Sequence, residues 1–510
     1  MRRDCAAIVL ALAITALGPA QSPCPPLGVS VNASGGRLGD AWRVDAICAP
    51  TVLGVFGLDL APGPTATPIG TICLGFGPDL WLLAFLSNAA GTASVGGVMP
   101  PTPAFAGIGI YATAVSLDPA QPGGLGLGNG DSFVLRQPRF WFVNPGNTSP
   151  FGTTPGAIAA TNAISDNVAF SQSLTTSVVD AATVPARGWL ALLLGNGTLD
   201  AYDGISTAPV MNVALTGTAA QASKVLAVSA DDLLLLSYGT PPSPFGGGTP
   251  GSIHAVSLPS GVVVASVPLL SGNPDALLQV PGSTLVFVRL ANGVVPFDVS
   301  SLFLFPAIPL PSGFGALVDW QVAGSLLYCL HGGQGAGPFG GGQPPAISVV
   351  DITTLAVLFT NQLAMVAPVQ MLRAGPGTAG PALYVYGTAA AALAEFSQGL
   401  VQPVSTINVG AGIVAMQLSA LGSQWLLLCN GAGCGGPALL QLVAGTTALS
   451  TLSALSAPQG TLAVSPSVGY GKACLVLGTN VVFPFGTDPF LGAGVTVLPT
   501  AASLWRILSD

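Results

Sequence analysis

Residues 243–253 read SPFGGGTPGSI, and the chain carries this loop more than once. It stands upstream as SPFGTTPGAI at 149–158 and downstream as GPFGGGQPPAI at 337–347. Pro150 to Pro244 is 94 residues, and Pro244 to Pro338 is again 94. Another step of the same length lands on Ala432, inside the worn copy GAGCGGPALL at 431–440. A fixed interval through otherwise variable sequence is the mark of a repeat architecture, in which each unit buries its apolar face only against its neighbours.

The interval divides in two. Between the long loops lie short connections, LGNGTL at 194–199, LANGVV at 290–295, VYGTAA at 385–390 and LGTNVV at 477–482. Gly or Asn in each supplies the positive φ of a tight hairpin between apolar segments. A second pattern follows the connections: LDAYDGISTAPVMNVAL (199–215), VVPFDVSSLFLFPAIPL (294–310) and ISVVDITTLAVLFTNQL (347–363), with IHAVSLPSGVVVASVPL (253–269) carrying Ser for Asp. Asp203, Asp298 and Asp351 each end a strand where a carboxylate can hold a turn by accepting backbone N–H groups two residues on. Each unit therefore reads as four short strands in about 47 residues, which is a propeller blade.

The expected blades are 173–215, 216–270, 271–310, 311–364, 365–409, 410–455 and 456–499. Residues 138–172 supply three further strands, and the terminal segment 500–510 (TAASLWRILSD) supplies a lone one. Joining the two ends gives an eighth blade, closed by the C-terminal strand. The expectation is an all-β chain with an eight-bladed propeller over 138–510, seven blades being the alternative. Residues 23–137 break the rhythm. Their strand-like stretches WRVDAI, VLGVFGLDL, LWLLAFL, TASVGGV and GIYATAVSL predict a small antiparallel β-sandwich. The glycine-rich run QPGGLGLGNGD at 121–131 is read as leading into the propeller.

Of the 510 residues, 50% are hydrophobic and 6% charged, with 68 Gly and 45 Pro. A spanning helix needs about 20 consecutive apolar residues, and the interior runs are shorter than that. The N-terminus has the form of a signal peptide over 1–20, with Arg2 and Arg3 ahead of an apolar core and Gly18-Pro19-Ala20 as a small-residue cleavage site. The chain is expected to be secreted or held in the cell envelope, with no transmembrane segment after cleavage. Its net charge of −8 leaves no electrostatic footprint for nucleic acid. Export permits disulfides. Cys429 and Cys434, bracketing NGAG, are the candidate pair, with one further pair among Cys24, Cys48 and Cys73 left open.

Residues able to do chemistry are few: His254, His331 and the single glutamate Glu395. A zinc site needs three or four suitable ligands, and no motif gathers them. Calcium at Asp118 and Asp131 is conceivable but lacks the full set of oxygens. Cys329 and His331, two apart on a strand, share a face, with no acid to orient the imidazole. The glycine-rich loops have no P-loop Lys and open no helix, so they are not phosphate sites. No cofactor and no metal is expected. The best candidate surface is the set of long loops. Phe151, Phe245 and Phe339, replaced by Cys434 in the worn copy, would stand around one face of the ring, with His331 beside the third loop. The alternative is that each Phe folds back to staple its own loop.

The segment ISVVDITTLAVLFTNQL and its relatives resemble the bacterial YVTN-type propeller repeats, in which an apolar strand, an Asp and a Thr-bearing turn precede another strand. The likeness spans roughly 138–510 and is clearest in four units; the YVTN tetrapeptide itself is missing, and the PFG loops are additions. The resemblance implies a secreted or surface-exposed interaction scaffold. The N-terminal segment ending YATAVSLDPAQPGGLGLGNG is similar to Gly/Pro-rich β modules of secreted bacterial proteins and transfers no residue. The expected function is a secreted, non-enzymatic propeller that binds a protein or glycan, or serves structurally in the envelope. The rival is a quinoprotein-like eight-bladed oxidoreductase, which would need clustered acids around a bound calcium and quinone. A membrane β-barrel would need aromatic girdles that the chain lacks.

Overall fold

Why half of this chain is apolar is visible in how its blades stack. The second strands of the blades read WLALLL, LLYCLH, QWLLLC and KACLVL, and nearly every residue in them is buried. Each such strand has a neighbouring blade on both faces, so neither face can alternate to polar. At the outer edge of a blade the fourth strand Val262–Pro268 does alternate.

The computed structural model describes residues 26–509 except 101, 150–151, 164–165, 186, 230–231, 238–250, 259, 270–273, 291–292, 336–341, 398–401, 420, 465–471, 479–480, 488–489, 493–495 and 499–505. The proposed signal peptide lies outside the described residues. The chain divides into two compact units, Met1–Gln137 and Pro138–Asp510. No helix among the described residues is long and apolar enough to cross a membrane.

The second unit is a ring of eight antiparallel sheets. Blade 1 covers 139–173 together with 506–509, and blades 2 to 8 cover 178–214, 222–268, 276–309, 317–362, 369–408, 413–454 and 458–497. In every blade but the first the strands pair in chain order. In blade 1 the innermost strand is the C-terminal segment Arg506–Ser509. It pairs antiparallel with Arg139–Asn144 in the register Phe140↔Ser509 to Val143↔Arg506. The seam is built from both ends of the propeller.

The aspartate turns follow the sequence reading. Asp203 Oδ1 accepts from the N–H groups of Ile205 and Ser206 at 2.9 Å each. Asp351 Oδ1 accepts from Thr353 N at 2.7 Å and Thr354 N at 3.2 Å. Asp298 accepts from Ser300 N at 3.1 Å and from the hydroxyls of Thr284, Ser300 and Ser301. These donors pull its carboxyl down to about 2, against a small opposing effect of burial.

The scarce charges are spent on joints between blades. Asp180 of blade 2 takes Val225 N of blade 3 at 3.0 Å. Asp319 of blade 5 takes Leu372 N and Arg373 Nη1 of blade 6, both at 2.8 Å. Arg373 in turn donates to Met416 O of blade 7 at 3.1 Å. Lys472 of blade 8 meets Asp166 of blade 1 at 2.6 Å. Glu395 is an internal support: buried, it accepts from Thr378 N, Thr378 Oγ1 and Ser405 Oγ at 2.6, 2.8 and 2.7 Å.

The first unit contains the five predicted strands, at Ala41–Ile47, Leu53–Asp59, Trp81–Leu86, Thr92–Val98 and Gly109–Leu117. It also contains strands that the sequence reading passed over, and two of them correct it. The run read as a lead into the propeller holds the strand Leu125–Gly128, which pairs antiparallel with Gly109–Leu117 and parallel with Gly28–Ser34. The sheet is therefore not purely antiparallel. Close approach of neighbouring strands explains the glycines: a Cβ on Gly128 would sit 2.7 Å from the backbone oxygen of Ala114, and one on Gly126 2.6 Å from the side-chain Oγ of Ser116. Beyond this strand, side chains continue the pairing. Asn129 Oδ1 accepts from Val31 N and its amide donates to Val31 O, at 2.6 and 3.0 Å. Asp131 Oδ2 accepts from Ala33 N at 2.6 Å, while Asp118 Oδ1 accepts from Ala120 N at 3.0 Å. Both aspartates considered for calcium thus hold backbone.

Candidate functional site: the loop bases and the central channel

Antiparallel pairing puts the end of each second strand and the start of each first strand at the same end of its blade. The long loops of blades 1, 3, 5 and 7 leave from that end. Loop 1 carries a short ladder, Asn147–Ser149 against Gly152–Thr154. Loop 3 is pinned by the bridge Gln334↔Gln343. In loop 4 the disulfide Cys429–Cys434 closes a 3-10 turn at Ala432–Cys434. Cys73 is also disulfide-bonded, while Cys48, Cys329 and Cys474 are free thiols. Phe151, Phe245 and Phe339, the residues predicted to present the binding surface, lie outside the described residues, as does loop 2 over 238–250. The structure gives the bases of the loops.

Under loops 2 and 3 lie two buried hydrogen-bond chains. In blade 3, His254 Nε2 meets Ser237 Oγ at 3.1 Å and its Nδ1 meets Ser266 Oγ at 2.9 Å. In blade 5, His331 Nε2 meets Ser348 Oγ at 2.8 Å, and Ser348 Oγ meets Thr360 Oγ1 at 2.9 Å. Ser237 and His331 each end a second strand. His254 pairs with Ser266 across the sheet as Ser348 pairs with Thr360. The two trios therefore occupy the same three positions, one repeat apart, with His and Ser exchanged. Burial holds both imidazoles below their ordinary pKa, the contact of His331 with Gly315 O opposing this slightly.

These pairs have the atoms of a nucleophile and its base but not the setting. Ser237 and Ser348 are 1% and 0% exposed, so no substrate reaches either hydroxyl. Their chemistry is to satisfy buried polar groups where the sheet gives way to loop. His331, expected beside the rim, is 3% exposed and points into this network, because it shares the fully enclosed second strand with Leu327 and Leu330. Cys329 is 0% exposed, and burial pushes its thiol up to about 12, so no thiolate is available to pair with an imidazole.

The functional geometry that the sequence reading missed is the central channel. A cavity of about 830 Å³ runs between the innermost strands of blades 1 to 4. Its charged residues are Asp180, Lys224, Asp275, Arg289 and Arg506. Arg506 pairs with Asp180, and Arg289 grips Asp275 through Nε and Nη2 at 2.7 and 3.1 Å. Arg289 also lies 5.8 Å from the ring centroid of Trp320 in blade 5. Lys224 has no ion-pair or hydrogen-bond partner for its ammonium among the described residues. A usable signal existed: in a chain with 6% charged residues, Asp180, Lys224 and Asp319 fall near the start of first strands. Among the described residues no group of three or more His, Cys, Asp or Glu is placed to hold a metal.

No protein-family model matches the chain, and no curated protein sequence matches it. Solved structures similar to it include BamB from Moraxella catarrhalis, at 13% identity and a TM-score of 0.42, covering 69% of this chain and 88% of that one. Dihydro-heme d1 dehydrogenase NirN in complex with DHE is similar at 14% identity and a TM-score of 0.44, covering 67% and 70%. A eukaryotic initiation factor is similar at 14% identity and a TM-score of 0.45, covering 71% and 85%. Likeness at this level says nothing of ligand or activity. The chain is an all-β protein whose larger unit is an eight-bladed β-propeller.

Proposed function

We propose that this protein is a secreted, non-enzymatic propeller scaffold of YVTN type that engages a protein or glycan, or braces the envelope, through the long loops on one face. The observation that carries the reading is the seating of those loops. They recur on alternate blades, and the described bases are held by a strand ladder, two buried His–Ser networks and a disulfide. Loops on a rigid scaffold are where propellers and other β proteins hold their binding residues. The leader-like segment at 1–20 supports export.

The test replaces Phe151, Phe245 and Phe339 by Ser together in the full chain. Circular dichroism and thermal melting establish that the fold is kept, and pull-downs from envelope extract and glycan arrays read binding. Loss of a partner retained by the parent protein is the expected result. Unchanged capture with an intact fold would refute the loop-face assignment.

A further inference from the structure

We infer that the central channel is a binding site for a small ligand bearing one oxyanion, a carboxylate or a phosphate, held at Lys224 and Arg506. The cavity of about 830 Å³ lies within the range of small-molecule sites. Three of the chain's 12 Lys and Arg line it, against two carboxylates, in a protein whose net charge is −8. This local excess of positive charge inside an acidic molecule selects the sign of the ligand.

The hydrogen-bond inventory narrows the choice. Asp275 is gripped through both oxygens by Arg289, and Asp180 is divided between Arg506 and Val225 N. A cationic ligand would find both carboxylates taken. Arg289 gives Nε and Nη2 to Asp275 and Nη1 to Val318 O, three of its five N–H donors. Thr183 donates to Ser509 O, and Gln279 to Val228 O and Ser283 O. Among the described residues, the cationic groups left most open are the Lys224 ammonium and the part of the Arg506 guanidinium not facing Asp180, on a side chain that is 50% exposed. These two cations stand on the innermost strands of blades 3 and 1, with Asp180 on the strand between them. The walls near them are short apolar side chains such as Ala181, Ala182 and Ala227. They suit a ligand whose body is neutral beyond its acidic group.

The experiment is calorimetric titration of the full chain at low salt with inorganic phosphate and, separately, with glucuronate. Saturable binding of at least one is expected, and the arm that responds identifies the oxyanion. Lys224→Met should weaken that binding about tenfold, the loss of one charge-assisted hydrogen bond, while Lys224→Arg should keep it within about threefold. Should Lys224→Met lower the melting temperature, Lys224→Gln serves at the same position. Absence of binding by both anions, or equal binding by the parent and the charge-neutral variant, overturns the assignment. The triple Phe variant at the loop tips should bind the anion as the parent does, so this inference and the loop-face reading fail separately.

Discussion

Arg506 and Asp180 are separated by 326 residues and joined by an ion pair across the seam of the ring. Arg506 opens the closing strand, and Asp180 lies 7% exposed on the innermost strand of blade 2, where it also fixes Val225 N of blade 3. One carboxylate thereby ties three successive blades. Thr183 Oγ1 donates to Ser509 O at 3.2 Å beside it.

Asp180→Ala should therefore destabilise the propeller by about 2–4 kcal/mol, because it strands a half-exposed guanidinium and a buried N–H together. Arg506→Met should cost a comparable amount, because it leaves the carboxylate of Asp180, 7% exposed, with no cation and only Val225 N as donor among the described residues. Chemical denaturation followed by tryptophan fluorescence compares them. An unchanged denaturation midpoint for either variant would contradict the tie.

A second clasp on the same seam is steric. Arg139 Nη1 donates to Asp203 O, and its guanidinium lies 6.0 Å from the ring centroid of the fully buried Trp141. Gly204 has φ of +68°, and a Cβ there would lie 2.8 Å from both Trp141 and Arg139. Gly204→Ala combines left-handed backbone strain with a clash and should cost about 2–4 kcal/mol. An unchanged denaturation midpoint would show that the seam yields freely.

The buried imidazoles predict the pH dependence. Their folded pKa lies below the ordinary value of about 6.5, so the unfolded chain takes up protons that the folded chain refuses. Stability from this source is complete above about pH 6.5 and falls as the pH drops below it. Melting temperatures between about pH 8 and pH 5 should show this decline. The variant carrying both His254→Gln and His331→Gln should show a shallower one. Equal slopes would mean that the acid sensitivity lies elsewhere.

Exchange of His and Ser between equivalent positions predicts a compensating pair. His331→Ser and Ser348→His should each cost about 1–3 kcal/mol by leaving a buried polar group unsatisfied or misplaced. Combined, they reproduce in blade 5 the arrangement of Ser237 and His254 in blade 3. The double variant should recover at least about 1 kcal/mol relative to the sum of the singles in a double-mutant cycle. Strict additivity would deny that the two trios are equivalent.

Thiol chemistry gives a further check. Cys329 and Cys474 are fully buried with thiols pushed upward by burial, whereas Cys48 is partly exposed. In the native, unreduced protein an aromatic disulfide reagent should label Cys48 and spare the other two until denaturant is added. Rapid native labelling at Cys329 would mean that blade 5 opens on its own.

Much of the propeller was legible because repetition exposes it. The 94-residue step fixed the blade pair, and Asp203, Asp298 and Asp351 marked strand ends through a local carboxylate–backbone preference that needs no tertiary context. The strand Leu125–Gly128 was not legible, because its glycines answer to neighbouring strands that pack on it, one of them from distant sequence. Likewise His331 reads as a residue next to a loop, and only the stacking of blades on both faces of its strand makes it a core residue.

The sequence by itself determined the period, the number of strands in each repeat and the closure of the ring by the last segment. These follow from local patterning and from the arithmetic of two incomplete ends. Tertiary structure alone decided which polar residues meet. Asp180 finds Arg506, and Lys224 finds no carboxylate among the described residues, because closing the ring brings first strands from distant sequence around one channel. Charge pairing across that channel depends on distance in space, which linear spacing does not encode.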